Sequence, residues 1–475
     1  MQPQSLLDPR VRPVTFSMVT IIAIFAFEGL AIVAALPSVA VDLGGVELLP
    51  WTVTGYLVAV AVATAVFGGV IDAVGVAPVF RIAVVAFGLF SLAAGLAPSM
   101  EILVATRVLQ GIAGGAMQAV GGTLVVVGFP EHLVGRAAAA NSNVWGLFGF
   151  ASPALAAGLL VFAGWRWIFI LMVPITMVTL AFGWRALPKR EERLRVRIDW
   201  PGVLSLVAAV TSLLVAVSSP SVYSVLWLAA AALLGTVWWR RAGSARQTMI
   251  ERRYISKTPY STLIVAVSLT VAAMIGAQTY LPVFVRGSLN ATESVTAWSV
   301  LFLTLGWTIA ANVAGRITKW TTPRNVLLYG VTSGPVWIGL LVLAVWQGAP
   351  IWVIFGTYVL MGTAVGTTTN VAWQILKNFV EEGGSGRASS AHQFMRSLGQ
   401  SIGAGVAGGA ILFVASLRLD DLDSLTAALA GEDQSALGVA AAAALEEGFL
   451  WAVVAMFVIQ LCCALVVWSQ RRLVG

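Results

Sequence analysis

Long apolar runs alternate with short polar segments along the whole chain. The first run, residues 16–36, would form a helix about 31 Å long at about 1.5 Å per residue, which matches a bilayer hydrocarbon core about 30 Å thick. Similar runs follow at residues 51–71, 79–97, 102–127, 138–163, 167–187, 203–217, 222–239, 262–285, 295–314, 326–346, 351–376, 388–416 and 448–468. The pattern predicts an all-α integral membrane protein with 14 transmembrane helices.

The composition agrees with this prediction and excludes a soluble globular protein. Of the 475 residues, 59% are hydrophobic and 10% are charged, and the mean hydropathy is +0.90. A secretory signal peptide is an alternative for the first run, because Arg10 and Arg12 precede it. The run is too long for that and contains Glu28, so we interpret it as the first transmembrane helix.

Two basic segments divide the runs into three groups. The segment LPKREERLRVRIDWPG follows the sixth run, and RRAGSARQTMIERRYISK follows the eighth. We predict a six-helix bundle in residues 1–187, an inserted helix pair with its basic linkers in residues 188–258, and a second six-helix bundle in residues 259–475. The similar strings GGVIDAVG and GRITKWTT, after the second and tenth runs, suggest that the two bundles are related by pseudo-symmetry.

The basic residues are distributed unevenly between alternate loops. With the N-terminus in the cytoplasm, the outer loops keep only Arg166, Arg286 and Arg418, and the inner loops hold most other Lys and Arg residues. This bias predicts a multi-pass protein of the cell (plasma) membrane with both termini cytoplasmic. The net charge of +7 then reflects topology and contacts with anionic membrane lipids, and not a nucleic-acid partner.

The longest predicted outer loop is acidic and lies between the last two runs. Its sequence is LRLDDLDSLTAALAGEDQSALGVAAAAALEEG. One interpretation is a solvated loop, with short surface helices, and the other is a lid over the outer mouth of a cavity.

Glu28 is a carboxylate deep within an apolar run. An ionised carboxylate facing lipid would cost several kcal/mol, so Glu28 must face a cavity or a partner, or be protonated. Arg107, in the fourth run, is the natural counter-charge. We predict that Glu28 carries a proton and that Arg107 is its partner. The alternatives are a neutral Glu28 that only joins helices and an Arg107 that only bonds backbone carbonyls.

Several short motifs occur in a familiar order. They are GGVIDAVG with Gly68, Asp72 and Gly75; LVATRVLQGIAGG with Arg107, Gln110 and Gly111; and an acid nine residues before a proline, Glu28 and Pro37. On these motifs the chain resembles the major facilitator superfamily, and in particular its fourteen-helix drug:proton antiporter branch. It departs from that branch in the fifth run, where Ser152 and Ala156 stand in place of glycines.

The resemblance implies a mechanism as well as a fold. It implies that Glu28 and Arg107 couple transport to protons, and that Gly68, Asp72 and Gly75 form a conformational latch between the second and third helices. An acid at that loop suits the latch, because it can hold a helix N-terminus through backbone N–H groups.

Polar and aromatic residues inside other runs are candidates for a substrate cavity. Each is alternatively a helix–helix hydrogen bond or an ordinary packing residue. The candidates are Gln118, Asn141, Asn143, Trp145, Gln278, Trp307, Asn370, Trp373 and Gln374.

The sequence offers no constellation typical of an enzyme. His132 and His392 have no partners at metal-ligand spacing, and no G-x-x-x-x-G-K-[ST] loop is present for ATP. We therefore expect no catalytic activity, no cofactor and no metal site. The predicted function is a proton-coupled secondary active transporter that exports lipophilic small molecules by alternating access. The alternatives are a lipid or glycolipid exporter and a non-transporting membrane receptor or scaffold.

The charge of the substrate follows from the placement of carboxylates. In the second half of the chain, every acidic residue falls in a predicted loop or at the edge of a run. A dication in a low-dielectric cavity would need more than one nearby negative charge. We therefore expect neutral or singly charged substrates.

The predicted topology can be tested by labelling with a membrane-impermeant thiol reagent. Single cysteines are placed at Ser244 and Ser424 in a chain whose Cys462 and Cys463 have been replaced. We expect labelling of intact cells at position 424 only, because the Lys and Arg bias keeps position 244 inside. Labelling at position 244 without labelling at position 424 would contradict the topology.

Overall fold

The structure is a computed structural model that describes residues 3–187, 199–218, 223–244, 252–317, 320–379, 385–430 and 436–470. Over these residues the chain is helical, with short connections. The α-helices are α1 (Arg12–Leu43), α2 (Leu49–Val74), α3 (Val76–Gly95), α4 (Met100–Val127), α5 (Glu131–Phe162), α6 (Arg166–Ile170), α7 (Met172–Gly183), α8 (Trp200–Ser218), α9 (Ser224–Ser244), α10 (Arg252–Ser256), α11 (Tyr260–Thr279), α12 (Leu281–Gly287), α13 (Glu293–Ser299), α14 (Leu301–Ile317), α15 (Pro323–Trp346), α16 (Ile351–Phe379), α17 (Ser385–Arg418), α18 (Ser424–Ala430) and α19 (Ala436–Ser469).

Twelve helical stretches within the described residues are long and apolar enough to cross a membrane. The helices α5 and α9 are not among them, although α5 contributes a shorter apolar stretch, Leu147–Phe162. The all-α membrane architecture is therefore confirmed, and the predicted number of 14 transmembrane helices is not. Three predicted runs are each built from two consecutive helices, α6–α7, α11–α12 and α13–α14. In the second of these, Pro282 lacks the N–H that would continue the helical hydrogen bonds.

The two halves of the chain repeat one packing scheme. In the first half, α2 and α3 pack on α4, α1 packs on α5 and α7, and α3 packs on α7. In the second half, α14 and α15 pack on α16, α11 packs on α17 and α19, and α15 packs on α19. Each pair in one half has its counterpart, in the same order along the chain, in the other. This correspondence is the relation expected of repeat-built transporters.

Glycines bring the backbones together at corresponding seams of the two halves. A Cβ atom on Gly115 of α4 would lie 2.8 Å from the backbone nitrogen of Thr64 on α2. A Cβ atom on Gly362 of α16 would lie 2.6 Å from the backbone nitrogen of Trp307 on α14. Small residues allow such close approach, and dispersion contacts then stabilise helix pairs that lipid cannot drive together.

The helix pair α8–α9, between the two halves in the sequence, lies beside α2 and α17. α8 packs on α9, α17 and α2, and Leu214 of α8 is fully buried. α9 exposes a row of large apolar side chains, among them Val225, Leu226 and Leu233. An apolar surface of this kind suits contact with lipid.

Within the described part of the acidic connection after α17, a short helix packs against the bundle. α18 buries Leu425 and Leu429 and packs on α1, α12 and α19. α19 begins at Ala436, 12 residues before the predicted start of the last run at Gly448. The apolar run was too narrow a criterion here, because the preceding alanines are strong helix formers.

Contacts between the halves involve few elements. α1 contacts α12, α13 and α18; α2 contacts α17; and α5 contacts α13 and α14. The contacts of α1 join the halves near the α12–α13 connection and α18. The contacts of α2 with α17 extend further, from Pro50 beside Gly408 to Ala65, which shares a buried cluster with Ala391.

We expect Gly362→Ala to lower the stability of the protein, because its methyl group would press against the backbone of α14. Overpacking of this kind costs about 1–3 kcal/mol. The matched control is Gly356→Ala on the same helix, where a Cβ atom meets nothing within 4 Å. Thermal unfolding in detergent should show a lower midpoint for the first variant and an unchanged or higher one for the second. Equal midpoints for Gly362→Ala and the wild type would contradict the close backbone contact between α14 and α16.

Candidate functional site

A buried ion pair joins the first and fourth long helices. Arg107 of α4 contacts Glu28 of α1 through Nη1 and Oε1, and both residues are 0% exposed. Because charges are expensive to bury, a pair at this position requires that each partner compensates the other and that further hydrogen bonds are made. The structure thus brings together the two residues predicted to couple transport to protons.

The guanidinium of Arg107 also contacts α2. Its Nε donates to the carbonyl oxygen of Thr52 at 3.1 Å, and its Cζ lies 4.0 Å from the centre of the Tyr56 ring. Thr52 and Tyr56 are four residues apart, so they occupy one face of the helix. The ring offers a favourable electrostatic surface to a desolvated cation. A second ring, that of Phe169 on α6, lies 5.6 Å from Cζ.

A series of hydrogen-bonded polar side chains connects the ion pair to α3. Gln110 accepts a hydrogen bond from Arg107 Nη1 at 2.6 Å and donates from Nε2 to the hydroxyl oxygen of Ser91 at 2.7 Å. Gln110 and Ser91 are both 0% exposed. The site therefore draws on α1, α2, α3, α4 and α6, and its polar groups join four of these helices, α1, α2, α3 and α4.

Small residues on α4 make this arrangement possible. A Cβ atom on Gly111 would lie 2.6 Å from the carbonyl oxygen of Tyr56, so α4 can approach α2 only with glycine at that position. Gly114 lies beside the Tyr56 hydroxyl, where an added Cβ atom would be 3.3 Å away. The glycines of the motif thus place Arg107 close enough to reach Thr52.

Three polar atoms of the site have no hydrogen-bond partner among the described residues. They are Glu28 Oε2, Arg107 Nη2 and Tyr56 Oη, and all three are buried. A carboxylate oxygen with no donor is able to take up a proton, and a free N–H or O–H is able to bind an incoming acceptor. The site therefore contains a charged pair that is only partly satisfied.

The predicted latch is described only in part. Gly75 is the single residue between α2 and α3, with φ of +87°, a conformation that favours glycine. Its N–H donates to the carbonyl of Ile71 at 2.8 Å. A Cβ atom on Gly68 would meet nothing within 4 Å. The side chain of Asp72 lies outside the described part of the structure.

Of the predicted cavity residues of the first half, Gln118 and Asn143 have side chains that the structure describes. Gln118 on α4 accepts a hydrogen bond from Thr64 of α2 at 3.0 Å. Asn143 on α5 is exposed. The side chains of Asn141 and Trp145 lie outside the described residues. Gln118 is thus used here as the helix–helix hydrogen bond that was its alternative interpretation.

The predicted cavity residues of the second half fall into two groups. Gln278 is buried and donates to the carbonyl of Val300 at 2.8 Å, and Asn370 donates to the carbonyl of Gly366 in its own helix at 2.9 Å. Gln374 is exposed.

The second group is an aromatic and basic cluster on α14, α16 and α17. The Trp307 ring lies 5.7 Å from Arg396 Cζ, and the Trp373 ring lies 5.2 Å from the His392 ring.

Several residues of the site were not among the sequence predictions. Four of them contact Arg107 or Gln110 only because of the way their helices pack against α4. They are Thr52, Tyr56, Ser91 and Phe169, and each lies on a helix that is apolar on several faces. Gln110 had a usable signal, because it follows Arg107 by three residues and must share its helical face.

The chain is similar in sequence to known transporters over most of its length. Residues 16–404 match the model of the Major Facilitator Superfamily. Multidrug resistance protein 3 of Bacillus subtilis (strain 168) is 24% identical over 406 residues, which cover 83% of this chain and 78% of that protein. A probable multidrug-efflux transporter of Mycobacterium tuberculosis (strain ATCC 25618 / H37Rv) is 29% identical over 411 residues, which cover 82% of this chain and 85% of that protein.

The fold is also found among solved structures. A bacterial homolog of the human lysosomal transporter Spinster, in an inward-facing and unoccupied conformation, superimposes with a TM-score of 0.68 at 14% identity, covering 98% of this chain and 97% of that one. At this identity the likeness shows the fold alone. With the family match over residues 16–404, the chain belongs to the Major Facilitator Superfamily, and it is a multi-pass membrane transporter and not an enzyme.

Proposed function

We propose that the protein is a proton-coupled secondary active transporter that exports lipophilic small molecules by alternating access. The observation that carries this proposal is the buried Glu28–Arg107 pair, in which Glu28 Oε2 has no hydrogen-bond partner among the described residues. A carboxylate in this position is a group whose charge can be switched inside the protein.

The pair offers a physical route from proton binding to movement. While Glu28 is ionised, it compensates the guanidinium of Arg107, which also bonds Thr52 and Gln110. Protonation of Glu28 leaves that guanidinium among neutral groups, and a buried unpaired charge is strongly unfavourable. An arrangement that admits water or a negatively charged group to the site is then favoured. Proton occupancy and helix arrangement are thus linked by differential stability.

The arrangement of the two halves supports alternating access. They meet through α1, α2 and α5 on one side and α12, α13, α14, α17 and α18 on the other. Glu28 lies on α1, which contacts the second half of the protein. A change in its pairing with Arg107 of α4 therefore acts on a helix at the interface between the halves. Separation of α1 from α12, α13 and α18 would open the end that is closed here.

The class of substrate is proposed from the relatives. Two relatives are named for multidrug resistance or multidrug efflux, and each alignment covers more than two thirds of this chain and of the relative. We further propose that α5 and α9 complete fourteen transmembrane helices, as in the drug:proton antiporter branch. The proposal includes a latch of Gly68, Asp72 and Gly75, cytoplasmic termini, and an inserted pair between two six-helix bundles.

Glu28→Gln is expected to abolish export driven by a pH gradient while leaving the protein folded. Glutamine keeps the shape of the side chain and its acceptor towards Arg107, but it cannot carry the proton. The measurement is flux of a lipophilic dye in proteoliposomes with an imposed pH gradient, which also separates a transporter from a scaffold. Glu101→Gln, at the exposed start of α4, is the control and should keep wild-type flux. Undiminished pH-driven flux in the Glu28→Gln variant would remove the proton-carrier role.

Arg107→Ala is expected to stop transport and to destabilise the protein, because it leaves the Glu28 carboxylate buried without a counter-charge. Loss of one partner of a buried pair costs about 3–5 kcal/mol. The double variant Glu28→Gln/Arg107→Ala should therefore lose less stability than the sum of the two single variants, in thermal unfolding of purified protein. Strict additivity of the two losses would show that the residues do not interact.

A further inference from the structure

Arg396 is a cation placed well inside the second half of the protein. It lies 11 residues after Ser385, where α17 begins, which is about 17 Å along the helix at about 1.5 Å per residue. The carbonyl of its neighbour Met395 accepts a hydrogen bond from Ser268 of α11 at 2.7 Å. Arg396 therefore belongs to the packed part of α17 and not to its end.

The hydrogen bonds of Arg396 are poorly satisfied. A guanidinium carries five N–H donors. In this structure Nη1 approaches Gln393 Oε1 at 3.5 Å, which is long for a hydrogen bond, and Nε is buried with no partner among the described residues. The other close neighbour is the ring of Trp307, 5.7 Å from Cζ. A cation–π contact of this length does not replace the missing acceptors.

No described carboxylate within the long helices of the second half compensates this charge. The described acidic residues of that half lie at the first turn of α13 or in the region between α17 and the early turns of α19, namely Glu293, Asp420, Asp421, Asp423, Glu446 and Glu447. Arg107 in the first half shows the contrast, because Glu28 pairs with it. Arg396 is half-buried, and its Nε is removed from water without an acceptor, which is unfavourable. Among the described residues Arg396 thus has no counter-charge, and this part of its surroundings suits the arrival of an anion.

Aromatic side chains stand next to this charge. Trp307 on α14 and Trp373 on α16 are both half-buried, and Trp373 packs beside His392, which precedes Arg396 by one turn of α17. Half-buried indole rings present apolar faces that a flat, lipophilic molecule is able to contact. Charge and apolar surface are therefore adjacent.

We propose that Arg396, Trp307 and Trp373 form a binding site for the anionic group and apolar body of a singly charged amphiphile. The guanidinium holds a carboxylate, sulfonate or phosphate, and the indole rings contact the apolar part. This proposal rests on the proposed export function and narrows its substrate class to lipophilic monoanions. The anionic group has two sources, a free lipophilic acid or the headgroup of an anionic lipid.

Binding to the purified, full-length protein tests the site without a proton gradient. The probes are 1-naphthylacetate and its uncharged isostere 1-naphthylacetamide, measured by titration calorimetry. We expect the carboxylate to bind about tenfold more tightly than the amide, since charge-assisted hydrogen bonds to a guanidinium are stronger than neutral ones. Arg396→Gln should lose about tenfold in affinity for the carboxylate and leave the amide unchanged, and Arg396→Lys should fall between. The control is Arg418→Gln, at the exposed end of α17, with unchanged affinities.

A purely structural Arg396 gives a different result. Equal affinities of the wild type for the two probes, or equal losses for both probes in Arg396→Gln, would overturn the proposal. The lipid source is distinguished in nanodiscs of phosphatidylcholine with or without phosphatidylglycerol. Competition by phosphatidylglycerol that disappears in Arg396→Gln assigns the site to the headgroup, and absence of competition assigns it to the free acid.

The two proposals fail separately. If Glu28→Gln stops pH-driven flux while the carboxylate shows no Arg396-dependent binding, the export function stands and the anion site falls. If the carboxylate binds through Arg396 while pH-driven flux is absent, the anion site stands as a binding site and proton-coupled export falls.

Discussion

The first half of the protein is organised around one guanidinium that cannot reach water. Arg107 is fully buried, so every group that surrounds it must either compensate its charge or accept one of its hydrogens. Glu28 supplies the charge, Thr52 and Gln110 supply oxygens, and the Tyr56 ring covers a face. These partners come from different helices, so the cost of leaving the charge unpaired fixes the relative positions of α1, α2 and α4. The glycines of α4 are a consequence, because a longer side chain would hold the guanidinium away from Thr52.

The same constraint supports the proposed role of a proton at this site. The addition of one proton to Glu28 does not change the shape of the pocket, but it removes the compensation on which the neighbouring charge depends. A neutral hydrogen-bonded network would respond far less, because its members keep their partners when one proton moves. The second half has no described pair of this kind. Its half-buried cation, Arg396, has no described carboxylate beside it, so the two halves share a packing scheme and differ in the electrostatics of their described residues.

The sequence predicts the parts of this arrangement that follow from a single helix. Glu28 and Arg107 could be paired in advance, because each is an ionisable residue of opposite charge within an apolar run. Tyr56 and Ser91 could not, since their roles depend on how each helix is rotated against its neighbours, and an apolar run has no single polar face to indicate this. The early start of α19 was missed for another reason: helix propensity extends beyond the apolar stretch that marks a membrane span.

The contacts within and between the halves differ in kind. Within each half, glycines on α4 and α16 bring backbone against backbone, as at Gly115 and Gly362, and such seams have no side chains that can rearrange. Between the halves, side chains separate the helices. Thr304 of α14 lies against Gly149 of α5, and Pro50 of α2 lies against Gly408 of α17. The Tyr280 hydroxyl, which belongs to the second half, also lies beside Gly408 and is buried with no partner among the described residues. At these positions, close backbone contacts join helices within each half, whereas side chains fill the contacts between the halves, which is the difference that the proposed alternating access requires.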